Sequence, residues 1–117
     1  MILIIDDDGA IRTSLTFKLN RIGYDAQAVA TPKEAMAVVR SVAPELILMD
    51  MNFSLTTSGD EGITLLKQVK IFRPEVPVIL MTAWGSIDLA VKGMQAGAFD
   101  FITKPWENEK LLATLSS

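Results

Sequence analysis

Short aliphatic runs and helical patterns alternate along the chain. The first run is Ile2–Ile5. A stretch with Ile11, Leu15, Leu19 and Ile22 on one face follows, and Gly23 stands where a helix end calls for a left-handed residue. Tyr24–Val29 reads as a half-polar strand. Thr31-Pro32-Lys33-Glu34 is a helix start, with Thr as N-cap, Pro at the first helical position and Glu closing a capping box. That second helix carries Ala35, Val38, Val39 and Val42 inward and stops before Pro44. Leu46–Met49 is the third run, followed by a polar loop from Asn52 to Gly59. A third helix has Ile63, Leu66 and Val69 on its inner face and ends before Pro74. Val76–Met81 is the fourth run, with Pro77 near its start. Ser86 can cap a fourth helix whose expected inner face is Ile87, Ala90, Val91 and Met94, closed by Gly97. Phe99–Ile102 reads as a short fifth strand, and a last amphipathic piece carries Leu111, Leu112 and Leu115.

Five strands alternating with five helices predict an α/β fold, a parallel sheet covered on both faces. The aliphatic first, third and fourth strands suit its centre, and the second reads as an edge. No internal repeat, low-complexity tract or linker interrupts residues 1–117, which predicts one domain. No apolar run approaches the roughly 20 residues that cross a bilayer. Met1–Ile5 meets three aspartates without a basic leader, so it reads as a strand rather than a signal peptide and the expected location is the cytoplasm.

Composition narrows the chemistry. Eleven Lys+Arg against fourteen Asp+Glu leave a net charge of −3, which weighs against direct contact with nucleic acid by this domain. With no Cys and no His, thiolate sites, disulfides and imidazole chemistry are excluded. Carboxylates, hydroxyls, Lys and Arg remain.

In a parallel sheet the carboxyl ends of all strands share one edge, and ligands bind in the crevice there. Asp6, Asp7 and Asp8 follow the first run, Asp50 the third, Thr82 the fourth, and Lys104-Pro105 the fifth. Taken singly, each reads as well as a polar turn, a solvated strand end or a loop cap. Their joint placement points to one site. Clustered carboxylates repel each other unless a cation joins them, and Mg²⁺ with oxygen ligands and retained waters is the natural one. A metal, a lysine, a hydroxyl and an ionised Asp around one point suit phosphoryl transfer, in which an Asp can itself be the nucleophile.

Four segments then carry a resemblance over the full length: Ile4–Arg12, Leu46–Asn52, Val78–Ala83 and Phe99–Pro105. The chain resembles the receiver domain of two-component response regulators. From Thr82-Ala83-Trp84-Gly85 through Ala96–Asp100 to Lys104-Pro105-Trp106 it is similar to the NtrC-like transcriptional activators. The resemblance implies a flavodoxin-like, doubly wound sheet of order 2-1-3-4-5. It makes Asp50 the phosphoryl acceptor from a partner histidine kinase. Mg²⁺ would be held by Asp7, Asp50 and the Asn52 carbonyl, with Asp6 acting through water. Lys104 would pair with phosphoryl oxygens, Thr82 would close on them, and the aromatic Phe101 would follow it inward. The readout face would be the fourth helix, fifth strand and fifth helix, with Trp84 and Trp106 near it, and that face would also serve a homodimer. An ATPase and a DNA-binding domain would lie downstream, making the expected function a phosphorylation switch for transcription rather than a metabolic enzyme.

Two departures from the family pattern stand out. The segment Met51–Gly62 is several residues longer than usual and lacks the customary Pro, and position 101 is Phe where Tyr is frequent. Two other functions remain open on the residues alone. A Mg²⁺-dependent phosphatase of haloacid-dehalogenase type would put its nucleophile on the first strand. A flavodoxin-like carrier would need a Ser/Thr/Gly-rich phosphate cradle where this chain has three carboxylates.

Overall fold

The computed structural model describes residues 1–51, 60–83, 87–104 and 113–114. Its elements in chain order are β1 (Ile2–Ile5), α1 (Gly9–Arg21), β2 (Ala26–Val29), α2 (Pro32–Ser41), β3 (Leu46–Asp50), α3 (Asp60–Phe72), β4 (Val78–Ala83), α4 (Ile87–Gln95) and β5 (Asp100–Lys104). All strand pairs are parallel and the sheet order is β2-β1-β3-β4-β5. This is the expected doubly wound architecture, with four helices among the described residues. The expected last helix, with Leu111, Leu112 and Leu115, falls almost wholly outside them, as do Trp84, Ser86, Trp106 and the loop 52–59.

Strand alternation sorts the aliphatic residues onto two faces. Leu3, Ile5, Ile47, Met49, Val78 and Leu80 pack with Ala35, Met36 and Val39 of α2, Leu65, Leu66 and Val69 of α3 and Leu89 of α4. Ile2, Ile4, Leu48, Ile79 and Met81 pack on the other side with Leu15 and Leu19 of α1 and with Ile102 of β5. Burial of strands on both faces is the reason their runs are continuously apolar rather than alternating.

Local signals set the helix ends. Asp8 caps α1, its side chain accepting from the Ala10 amide at 2.9 Å. Thr31 caps α2 as expected, accepting from the Glu34 amide at 3.2 Å, and its hydroxyl donates to the Glu34 carboxylate at 3.1 Å, so the two residues of the expected capping box are joined through the Thr31 hydroxyl. Gly23 and Gly97, with φ of 100° and 112°, follow the ends of α1 and α4 in the left-handed region.

Some expected inner-face residues lie elsewhere. Ile22 and Val42 are the C-caps of α1 and α2 and are about half exposed, because each helix ends before its face turns inward again. In α4, Val91 and Met94 are exposed at 49% and 38%, whereas Leu89, Ala90 and Gly93 are buried. The helix is rotated toward Gly93, where the missing side chain lets it approach Leu80 of β4. β4 begins at Val78 rather than Val76: the Val76 amide turns back to the Arg73 carbonyl, and Pro77 offers only its carbonyl, to Ile47. β2 starts at Ala26 rather than Tyr24, whose amide closes the end of α1 on the Leu19 carbonyl. Phe99 stands before β5, half exposed, with its amide bonded to the Val78 carbonyl.

Candidate functional site

Sheet register brings the candidate residues to one edge. Ile5 is aligned with Met49, so Asp6 and Asp50 emerge side by side from β1 and β3. Asp50 is aligned with Met81, so Thr82 stands one step further along β4. Thr82 pairs with Thr103, and Ala83 with Lys104, which places the Lys104 backbone at the same end of the sheet. The side chain of Lys104 and the whole of Asn52 lie outside the described residues.

Asp6, Asp7 and Asp50 each offer a carboxylate oxygen, and these oxygens all lie within 4.8 Å of one another. Asp6 and Asp50 are buried, at 0% and 1% exposure, while Asp7 faces solvent. Three hard oxygen donors at this separation fit Mg²⁺, which takes carboxylates from the protein and completes its shell with water. Of the three, Asp7 lies on the solvent side and Asp6 and Asp50 on the buried side.

Neighbours hold the acidic turn in place. The Asp8 amide donates to Asp6 Oδ1 at 2.9 Å, and Arg12 Nη1 donates to the Asp6 carbonyl at 2.9 Å. The Asp6 amide bonds the Val29 carbonyl at 3.1 Å. Asp8 therefore works as a helix cap and a clamp on Asp6, separate from the three-carboxylate group. Arg12 was absent from the residues expected at the site. Its signal in the sequence is its position one helical turn beyond Asp8, whose carbonyl accepts the Arg12 amide at 3.0 Å.

Thr82 is fully buried, and its hydroxyl makes a long 3.5 Å contact to the Ile102 carbonyl of β5. A bond of this length is weak, so the Ile102 carbonyl holds the hydroxyl only loosely. Phe101 is half-buried against the core cluster that contains Leu80 and Met51.

The model of the response regulator receiver domain family matches residues 2–116. The chain belongs to that family. Receiver domains are phosphoacceptor switches of two-component systems. This receiver domain is 36% identical over 115 residues to the transcriptional regulatory protein ZraR of Klebsiella oxytoca, covering 98% of this chain and 25% of that protein. It thus spans about a quarter of the length of the curated relatives it matches. The crystal structure of the NtrX receiver domain from Brucella abortus superposes with a TM-score of 0.91 at 29% identity, covering 99% of this chain and 95% of that one. A response regulator from Burkholderia pseudomallei, solved with a phosphorylated aspartic acid, calcium ion and citrate, superposes with a TM-score of 0.85 at 27% identity, covering 97% of this chain and 65% of that one. Of these relatives, ZraR and NtrX are NtrC-like response regulators, in line with the likeness of the segment from Thr82 to Trp106. No helix among the described residues is long and apolar enough to cross a membrane.

Proposed function

We propose that residues 1–117 work as one phosphoacceptor unit in which Asp50 takes a phosphoryl group from a phosphohistidine of a partner kinase. The observation that carries this reading is the meeting of Asp6, Asp7 and Asp50 within 4.8 Å at the carboxyl edge of the sheet. An Asp50 oxygen attacks phosphorus, the phosphorus–nitrogen bond breaks with its electron pair leaving on the imidazole nitrogen, and an acyl phosphate forms. Asp7, Asp50 and the Asn52 carbonyl would hold Mg²⁺, with Asp6 acting through water. When bound, the ion supplies charge neutralisation for the transferred group. Support for such a site also comes from the Burkholderia pseudomallei relative, whose structure contains a phosphorylated aspartic acid and a calcium ion.

The new group adds about −1.5 to −2 charges and three acceptor oxygens. Lys104 is assigned to those oxygens, and the Thr82 hydroxyl leaves its long contact with Ile102 to donate to them. Phe101 follows into the space beside Thr82. A conformer that makes these bonds is rewarded by phosphorylation, so its population rises. Because Phe101 has no hydroxyl, no hydrogen bond holds it outward, and the switch leans on Thr82. The chain turns over no separate metabolite. Its expected setting is the cytoplasm, as part of a longer transcriptional regulator with ATPase and DNA-binding domains. The face formed by α4, β5 and the last helix would pass on the signal and support a homodimer.

The test is labelling with a small phosphodonor and Mg²⁺. Wild type should take up one base-labile phosphoryl group, and Asp50→Asn should take up none while keeping its circular dichroism spectrum. Full labelling of Asp50→Asn would move the acceptor elsewhere. Sustained turnover of a chromogenic phosphate ester would favour a phosphatase instead.

A further inference from the structure

Met51 follows the acceptor directly, and strand alternation turns its side chain to the opposite face of the sheet from Asp50. There it is completely buried in the cluster shared by α2, α3 and α4. Its surroundings are two helical glycines. A methyl placed on Gly62 of α3 would lie 3.1 Å from the Met51 carbonyl oxygen, 3.2 Å from its Cα and 3.2 Å from its Sδ. A methyl placed on Gly93 of α4 would lie 3.8 Å from the Met51 Cε. The thioether thus runs past Gly62 toward Gly93, in a slot that exists because neither position carries a side chain. An unbranched, pliable side chain suits such a slot. The Met51 amide donates to the Met81 carbonyl at 3.0 Å, immediately before Thr82. One residue therefore touches α3 and α4, hydrogen-bonds to β4, and adjoins Asp50.

We propose that Met51 is a positioning residue: by filling the slot between Gly62 and Gly93 it fixes where the Asp50 carboxylate stands against Asp6 and Asp7. The inference rests on the acceptor reading given above. Asp50 cannot shift its backbone without drawing Met51 along α3 and α4, so site geometry and helix placement are coupled through one buried side chain. The chemistry it controls is the grip on the divalent cation and the rate at which Asp50 is phosphorylated.

The test compares Met51→Ala with Met36→Ala, which truncates another buried methionine of the same core cluster on α2, away from the site. Mg²⁺ binding is measured by titration calorimetry, labelling by a small phosphodonor, and folding by urea denaturation. Met51→Ala should weaken Mg²⁺ affinity about tenfold, as loss of a residue that orients a metal ligand does. Its labelling at fixed Mg²⁺ should slow in parallel, whereas Met36→Ala should lose stability but bind Mg²⁺ and label as wild type does. Gly62→Ala supplies the same readout without a cavity, by pressing on the Met51 backbone, and should also weaken Mg²⁺ binding. Wild-type Mg²⁺ affinity in both Met51→Ala and Gly62→Ala, or equal losses in Met51→Ala and Met36→Ala, would overturn the inference while labelling of wild type upheld the acceptor. If Met51→Ala does not fold, Gly62→Ala alone decides. An unlabelled wild type overturns the acceptor reading and this inference with it.

Discussion

Gly93 is a point of close approach between α4 and β4, and replacing it with Ala tests the packing that orients this helix. The added methyl would collide with Leu80 Cδ1, and Leu80 is fully buried in the core cluster, so its side chain has to shift against packed neighbours. Overpacking of this kind costs about 1–3 kcal/mol, and the severity of the contact puts it toward the upper end. Removing a glycine from a helix interior returns about 1 kcal/mol. The net expectation is a loss of about 2 kcal/mol, read as a lower urea midpoint with an unchanged slope. A double-mutant cycle with Leu80→Ala isolates the cause. Leu80→Ala alone should cost about 2–5 kcal/mol through its cavity. In that background the Gly93→Ala change should be neutral or stabilising, because the methyl enters vacated space, giving a coupling of about 2–3 kcal/mol. A Gly93→Ala protein as stable as wild type, or equally costly in both backgrounds, would refute the idea that this glycine sets the helix against Leu80.

Other consequences can be measured on the same samples. The buried Asp6 and Asp50 carboxylates stand within 4.8 Å, where two full charges at an effective dielectric constant of about 20 repel by roughly 3 kcal/mol or more, partly cancelled by their neighbours. Asp50→Asn should therefore unfold at higher urea than wild type in chelator, and Mg²⁺ should stabilise wild type but not the variant; a less stable variant in chelator would argue against net repulsion. Thr31→Ala removes both hydrogen bonds of the Thr31 hydroxyl to Glu34 and should cost about 1 kcal/mol in thermal or urea unfolding, with phosphodonor labelling unaffected.

Much of this architecture was legible before any coordinates. Within the aliphatic runs Ile2–Ile5, Leu46–Met49 and Val76–Met81, residues 2–5, 47–49 and 78–81 are buried on both faces of the sheet, so the composition of the runs marks them as central strands of a parallel sheet. Once they are parallel, the residues after each run must share an edge, and that alone brings Asp6, Asp7, Asp50 and Thr82 together. The facing of α4 was not legible in the same way. Hydrophobic periodicity selected Val91 and Met94, but helix position there is decided by steric approach, and Gly93 contributes by what it lacks. The same holds for Gly62 and Met51, where glycine gives no apolar signal although it forms the contact surface. Arg12 was missed because it acts on the Asp6 backbone carbonyl, which no side-chain motif records. The roles of Asn52, of the Lys104 side chain and of the longer segment after Met51 rest on residue identity and on likeness to relatives.

The acceptor can be identified by chemistry that reports its address. Wild-type protein is treated with a small phosphodonor and Mg²⁺, reduced with borohydride, which converts an acyl-phosphorylated Asp to homoserine, and mapped by peptide mass spectrometry. Homoserine at position 50 alone is the expected result, dependent on Mg²⁺ and absent from chelated samples. Homoserine at position 6 or 7, or a phosphoryl group that resists reduction because it sits on a hydroxyl, would contradict the assignment of Asp50.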